Sequence, residues 1–168
     1  MIIKANTCCF TGHRIEKLPW GNNENDPRCI KLKETIYDTI EAVYKSGYRH
    51  FICGMATGCD MYFCEAALKL RESHKEITVE AAIPYEEQSF KWNESLKARY
   101  NKLVEECDYY TMVQNHYSPD CLMRRNRYMV DNSALLIAAY NGRPGGTQST
   151  MLYAMRNQVE IIEIGIDY

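Results

Sequence analysis

Short apolar segments alternate with amphipathic helical patterns along the whole chain, and this alternation limits the available folds more than any other feature. The segments predicted as strands are Lys4 to Phe10, Arg49 to Cys53, Ile77 to Ile83, Asp108 to Val113, Ala134 to Ala139, and Glu160 to Ile164. Strands that alternate with helices form parallel sheets covered on both faces. The sequence therefore predicts an α/β fold, with a Rossmann-like, doubly wound and mostly parallel sheet of about six strands.

The connections between these segments narrow the topology further. Right-handed crossovers leave few arrangements, and we predict the Rossmann strand order 3-2-1-4-5-6. Asp26 and Pro27 are typical of a helix start, and Gly47 is typical of its end. The sequence shows neither an internal repeat nor a linker, which predicts a single domain over residues 1–168.

Composition excludes several classes of partner. The 168 residues are 46% hydrophobic and 25% charged, which is ordinary for a globular domain, and the net charge is −2. This balance, without a basic stripe and interleaved aromatic residues, argues against nucleic acid as a partner. No apolar run is long enough to span a membrane, and the segment from Met1 to Lys4 does not resemble a signal peptide. We therefore expect a cytoplasmic protein without a membrane partner.

The cysteine pattern favours reduced structural thiols. No two cysteines have C-x-x-C spacing, which argues against a zinc ribbon, and disulfides are rare in cytosolic proteins. We accordingly predict no metal site and no cofactor. Cys59 is set apart because it lies in a predicted functional turn before a helix start, which would lower its pKa. The eight residues are Cys8, Cys9, Cys29, Cys53, Cys59, Cys64, Cys107 and Cys121.

The turn after the first strand contains Thr11, Gly12, His13 and Arg14. It brings a hydroxyl, an imidazole, a guanidinium and free backbone N–H groups to the end of a strand. This combination suits a phosphate or a carboxylate. The loop that follows contains Trp20, which either stacks on a ligand ring or pins the loop to the core, and we favour the second role.

The turn after the second strand has the same organisation. Gly54, Thr57 and Gly58 precede a helical pattern that begins near Asp60. Asp60 either caps this helix or accepts hydrogen bonds from a ribose, as acidic residues do in dinucleotide-binding folds, and we favour the cap.

The turn after the fifth strand is rich in glycine. Gly142, Gly145, Gly146 and Thr147 lie between an apolar strand and a helix predicted from Thr150. Glycine lets the backbone approach a ligand closely, and a helix start presents unpaired N–H groups to an anion. Because the carboxyl ends of parallel strands meet at one edge, we expect the three turns to line one crevice.

The fourth helical pattern carries Arg124, Arg125, Asn126 and Arg127 in succession. Three arginines in four residues cannot share one helix face, since only residues three or four apart are neighbours. We therefore expect at least one of these arginines to point into the ligand crevice. Arg125 and its neighbour Asn126 are the candidate site residues on this helix.

Four motifs together resemble an uncharacterised bacterial branch of the SLOG superfamily. This superfamily contains Rossmann-like domains similar to the cytokinin-activating phosphoribohydrolases and to DNA-processing protein A. The resemblance implies a pocket for a small-molecule nucleotide or a nucleotide-derived ligand similar to ADP-ribose, and it also implies homo-oligomers. The motifs are Phe10-Thr-Gly-His-Arg14, Gly54-Met-Ala-Thr-Gly-Cys-Asp60, Arg125-Asn-Arg-Tyr-Met129 followed by Val130-Asp131, and Gly145-Gly-Thr147.

The chain departs from the hydrolase branch at the catalytic acid. Arg125 and Met129 match that branch, but Asn126 replaces its lysine, and no acid follows the Gly145-Gly146 pair before Glu160. Cleavage of an N-glycosidic bond normally needs a carboxylate. We therefore predict a ligand-binding sensor or regulator, with nucleoside monophosphate hydrolysis and single-stranded DNA binding as alternatives. A replacement acid would have to be Asp60, Glu65 or Asp131.

Overall fold

The computed structural model describes all 168 residues and contains one sheet of six strands. Every neighbouring pair of strands is parallel. The strands are β1 (Thr7–Thr11), β2 (His50–Cys53), β3 (Thr78–Ile83), β4 (Tyr109–Met112), β5 (Leu135–Tyr140) and β6 (Glu160–Gly165). The predicted fold class is confirmed, and the sheet is wholly parallel.

Five α-helices connect the strands. They are α1 (Pro27–Lys45), α2 (Cys59–Ser73), α3 (Glu94–Glu106), α4 (Cys121–Asp131) and α5 (Gly146–Arg156). None of them combines the length and the apolar character that crossing a membrane requires. As predicted, the side chain of Asp26 caps α1 by accepting a hydrogen bond from the backbone of Arg28.

The observed strand order is β4-β3-β2-β1-β5-β6, so the predicted order 3-2-1-4-5-6 is wrong. The fourth strand lies outside β3 rather than beside β1. Both orders satisfy right-handed crossovers, but the observed one moves the reversal of strand order to the gap between β1 and β5. Ligands of open α/β sheets bind at this point, so the turns after β1 and β5 remain the ones that flank it.

Apolar side chains cover both faces of the sheet. On one face, α1, α2 and α3 pack through a cluster that includes Ile36, Phe63 and Leu103. On the other face, Met129 of α4 and Ala154 of α5 pack against a smaller cluster. The strands β1 and β2 are buried along their entire length, as strands between two helical layers must be.

Several element boundaries differ from the predicted ones. The first strand begins at Thr7 rather than Lys4. The sequence predicts the third helix from about Ser89, but α3 begins at Glu94 because Asn93 caps it through the backbone of Leu96. The last helix begins at Gly146, four residues before the predicted start at Thr150. This shift places the glycine-rich turn directly at the first turn of α5.

Candidate functional site

A cleft of about 310 Å³ lies at the carboxyl ends of β1 and β5, where the strand order reverses. Its walls come from the turns after β1, β2 and β5 and from one face of α4. It therefore brings together side chains that are far apart in the sequence. The lining residues are Phe10, Thr11, Gly12, His13, Arg14, Lys17, Ala56, Asp60, Leu122, Arg125, Asn126, Met129, Gly146 and Thr147.

Nine of the predicted site residues line this cleft. They are Thr11, Gly12, His13, Arg14, Asp60, Arg125, Asn126, Gly146 and Thr147. The other five, Gly54, Thr57, Gly58, Gly142 and Gly145, lie in the same turns but do not line it. Two of these five, Gly54 and Gly58, lie where walls of the cleft contact each other closely.

Gly58 joins the turn after β2 to the turn after β1. Its φ is +83°, and a Cβ at this position would lie 2.7 Å from the carbonyl oxygen of His13 and 2.9 Å from the backbone nitrogen of Ile15. The next residue, Cys59, donates its backbone N–H to the same His13 carbonyl at 3.1 Å. The backbones of the two turns therefore touch at Gly58, which only glycine permits here.

Gly58, and not Asp60, is the N-cap of α2, so the favoured prediction for Asp60 is wrong. Asp60 lies inside the first helical turn, and its carboxylate accepts the backbone N–H of Ala56 at 3.1 Å. It is 6% exposed, and burial raises the pKa of its carboxyl against the opposing effect of Arg125. Its buried carboxylate thus faces the cleft near the guanidinium of Arg125.

Arg125 is the arginine of α4 that points into the cleft. It is 4% exposed, it donates from Nη1 to the carbonyl oxygen of Gly54, and it donates from Nε to Oδ1 of Asn126 at 2.8 Å. A Cβ on Gly54 would lie 2.6 Å from Nη1, so glycine makes room for this contact. Burial lowers the pKa of Arg125, yet arginine stays protonated in proteins and keeps its positive charge here.

His13 links the turn after β1 to the turn after β5. It is buried, and its Nε2 accepts the backbone N–H of Asn141 at 3.3 Å. Burial lowers the pKa of His13, and the ammonium of Lys17 lowers it further. The ring is therefore neutral at neutral pH, with its proton on Nδ1, and it adds no charge to the cleft.

The amino end of α5 opens onto the cleft without a cap. No side chain caps this helix, and its first backbone bond runs from Ser149 to the carbonyl oxygen of Gly145. The N–H groups of Gly146, Thr147 and Gln148 precede that bond and have no partner within the helix. Such groups, with the helix dipole, attract anions.

The charged side chains of the cleft are mostly basic. Arg14 and Lys17 are exposed at its mouth, and Arg125 is buried in its wall. Asp60 is the one carboxylate in the lining. The cleft therefore favours an anion, although the whole chain carries a net negative charge.

Sequence reasoning missed the contributions of Lys17 and Leu122 to this cleft. Lys17 is the last residue of a short 3-10 turn, Ile15–Lys17, that folds the chain back after Arg14. Its Nζ would lie 3.1 Å from a Cβ on Gly145, so the ammonium reaches the start of α5. The basic pattern Arg14-x-x-Lys17 was the only sequence signal for this arrangement.

The other candidate acids lie elsewhere. Glu65 binds Arg99, with 2.7 Å between Oε1 and Nε, and Asp131 accepts a hydrogen bond from Tyr153. Glu160 pairs with Leu135 at the amino end of its strand, at the edge of the sheet opposite the cleft. Among these candidate acids, Asp60 is therefore the one that lies in the cleft.

Two further predictions concern residues near the cleft. The expected low pKa of Cys59 is wrong, because the thiol is fully buried and burial raises its pKa well above the usual value. Trp20 is 6% exposed in the core and donates from Nε1 to the hydroxyl of Tyr62 at 3.3 Å. It pins its loop to α2, in agreement with the favoured prediction.

Comparison with known families identifies the family of the chain. The model of the YpsA family, described as the YspA SLOG family, matches residues 8–167. The chain belongs to the YpsA SLOG family. The resemblance of its four motifs to the SLOG superfamily is thereby confirmed.

Two relatives match most of the chain. It is 31% identical over 144 residues to the uncharacterised SPbeta prophage-derived protein YoqJ of Bacillus subtilis, covering 78% of this chain and 84% of YoqJ. It is 24% identical over 153 residues to a UPF0398 protein of Halalkalibacterium halodurans, covering 89% of this chain and 80% of that protein.

Solved structures of DNA processing protein A share the fold of this YpsA-family chain. The protein from Streptococcus pneumoniae superposes with a TM-score of 0.62 at 14% identity, covering 96% of this chain and 51% of that one. The protein from Helicobacter pylori, described for its single-stranded DNA binding mode, superposes with a TM-score of 0.63 at 14% identity. The superposition covers 96% of this chain and 65% of the Helicobacter pylori protein. At 14% identity this likeness shows a shared fold, and the expectation that nucleic acid is an unlikely partner stays a prediction.

Proposed function

We propose that this YpsA-family chain binds a nucleotide or a nucleotide-derived ligand similar to ADP-ribose, and that it acts as a sensor or regulator. One observation carries the proposal: three cations and an uncapped helix start converge on a cleft that contains a single carboxylate. A phosphate group satisfies free N–H groups and positive charge together.

The parts of the cleft suit different parts of such a ligand. A phosphate fits the N–H groups of Gly146 and Thr147, within reach of Arg14 and Lys17. The carboxylate of Asp60 can accept a hydrogen bond from a ribose hydroxyl. Arg125 is held by Gly54 and Asn126, and it therefore offers a fixed charge rather than a mobile one.

A neighbouring groove offers room for a larger ligand. It lies between α4 and α5, has a volume of about 420 Å³, and shares Leu122, Asn126 and Gly146 with the cleft. Leu152 and Tyr153 give it an apolar wall suited to a base. A ligand with two linked groups, such as ADP-ribose, can extend from the cleft into this groove.

Replacing Arg14 with alanine is expected to weaken ADP-ribose binding by about 10- to 100-fold, because a hydrogen bond to a charged group contributes about 1.5–3 kcal/mol. Arg124→Ala is the matched control, since Arg124 is exposed on α4, pairs with Asp120 and does not line the cleft. Isothermal titration calorimetry and thermal shift measure both variants. Equal binding by the parent and Arg14→Ala would overturn this assignment.

The same incubations test the enzymatic alternative. On the binding proposal, nucleoside 5′-monophosphates stay intact, because the glycine-rich turn carries no acid. Free base detected by chromatography, and abolished in Asp60→Asn, would instead establish N-glycosidase activity. Binding without base release supports the sensor.

Single-stranded DNA is the second candidate, favoured by the likeness in fold to DNA processing protein A. The groove beside the cleft adds a local reason, because Arg127, Arg156 and Tyr153 line it. Basic and aromatic side chains together are typical of single-strand binding. The net charge of the whole chain does not describe this local surface.

Arg156→Ala is expected to weaken binding of an oligo-dT strand and to lower the slope of log K against log salt by about one phosphate contact. Fluorescence anisotropy at several salt concentrations measures this slope, with Arg124→Ala as the control. Displacement by ADP-ribose would place both ligands on one surface. If the strand does not bind in a salt-dependent way, this candidate is rejected. A cytoplasmic location and self-association stay predictions.

A further inference from the structure

Three cysteines from different elements converge in the layer of α1, α2 and α3, away from the cleft. Cys53 ends β2, Cys64 lies in the middle of α2, and Cys107 follows the last residue of α3. Their Sγ atoms all lie within 4.8 Å of one another, and those of Cys64 and Cys107 are 3.8 Å apart. The other five cysteines belong to no such group.

This spacing fits a shared cation. A tetrahedral zinc ion with Zn–S bonds of about 2.3 Å places its sulfur ligands about 3.8 Å apart. Thiolates select soft cations such as Zn²⁺ over Mg²⁺ or Ca²⁺. A disulfide would use only two of the three sulfur atoms and would leave the position of the third without explanation.

The surroundings of the three thiols provide a path from solvent and a neighbouring ion pair. Cys53 and Cys64 are buried, whereas Cys107 is partly exposed and gives access from solvent. Beside Cys107, the guanidinium of Arg71 lies 2.8 Å from Oδ2 of Asp108. This neighbouring ion pair is neutral overall, so the three thiolates themselves would supply the charge that holds a divalent cation.

We propose that Cys53, Cys64 and Cys107 form a binding site for a thiophilic divalent cation of the zinc type, with water as the fourth ligand. On binding, each thiol releases its proton to solvent, the three Sγ atoms donate electron pairs to the cation, and nothing is oxidised or reduced. The site joins β2, α2 and α3, and it does not depend on the ligand proposed for the cleft.

Cadmium titration of the reduced full-length chain tests this site, because thiolate-to-cadmium charge transfer absorbs in the ultraviolet. We expect the absorption to saturate at one equivalent of cadmium and to disappear when an excess of a chelator such as EDTA is added. Cys107→Ser should weaken cadmium binding by at least about 100-fold, since even loss of an outer partner of a metal ligand costs 10- to 100-fold. Cys29→Ser is the matched control, because Cys29 is a buried thiol outside the cluster.

A second measurement needs no variant. One equivalent of zinc should protect Cys107 from alkylation, as read by peptide mass spectrometry. The proposal is overturned if Cys107→Ser keeps the cadmium absorption, if Cys29→Ser loses it equally, or if zinc gives no protection. Formation of a Cys64–Cys107 disulfide in a chain that binds no cadmium also overturns it.

Discussion

Replacing Gly58 with alanine is expected to lower the free energy of unfolding by about 2–5 kcal/mol, because the substitution has two separate costs. The first is a left-handed backbone, with φ at +83°. The second is a clash, because the new Cβ would lie 2.7 Å from the carbonyl oxygen of His13, which cannot move without shifting the β1 turn. The variant should also lose ADP-ribose binding, since two walls of the cleft meet at this glycine.

Gly142→Ala is a closely matched control for this experiment. Gly142 has a φ of +81°, but nothing lies within 4 Å of a Cβ at that position. It should therefore show the backbone cost alone, about 1–2 kcal/mol. Urea unfolding at constant m-value measures both variants. Equal losses would mean that contact between the turns after β1 and β2 contributes nothing.

Replacing Glu80 with alanine is expected to lower the free energy of unfolding by about 3–5 kcal/mol, because breaking a buried polar pair leaves its partners without an acceptor. Glu80 is 4% exposed on β3. Its carboxylate accepts hydrogen bonds from Nε2 of His50 at 2.8 Å, from the hydroxyl of Tyr128 at 2.6 Å and from Oγ1 of Thr111 at 2.9 Å. The network joins β2, β3, β4 and α4.

The same carboxylate gives stability a dependence on pH. Burial acts to raise the pKa of Glu80, but the hydrogen bonds from His50, Tyr128 and Thr111 outweigh it and leave the pKa below its usual value. Its contribution is then complete above the unfolded pKa of about 4.3 and is lost as pH falls through the folded value. Urea unfolding between neutral and acidic pH should show a shallower decline for Glu80→Ala than for the parent.

Glu65→Ala is the control that separates the effect of burial from the effect of losing a charge on the free energy of unfolding. Glu65 pairs with Arg99 near the surface, and Arg99 also binds Glu24. Exposed ion pairs contribute about 0–1 kcal/mol, so the loss should be small at neutral pH. A loss as large as that of Glu80→Ala would show that burial does not set the cost.

The pattern of the sequence predicted the sheet but not the place of its fourth strand. Apolar runs show where strands are, whereas the neighbour of a strand depends on which helix face it packs against. Tyr109 and Tyr110 are 48% and 65% exposed, because β4 is an edge strand. The mixed polarity of this strand was compatible with an edge position, but crossover handedness alone allowed both orders.

The cleft was predictable where its lining residues belong to the turns that come after strands. Arg14 and Gly146 are of this kind, and Arg125 was found from the crowding of arginines on one helix. Lys17 was missed because its position depends on a turn that folds back, which composition does not reveal. The prediction for Asp60 relied on a cap position, and the prediction for Cys59 relied on a helix start. Both signals are local and do not show that the two side chains are buried in the folded chain.

The hydrogen bonds that join the walls of the cleft have a consequence for evolution and engineering. The groups that fix its shape, including His13 and the Gly54–Arg125 contact, are buried and leave little freedom for substitution. Arg14 and Lys17, in contrast, have exposed side chains that lie beside these buried groups and do not fix the shape of the cleft. Substitutions at these two exposed positions should therefore change the charge at the mouth of the cleft while its buried frame stays the same.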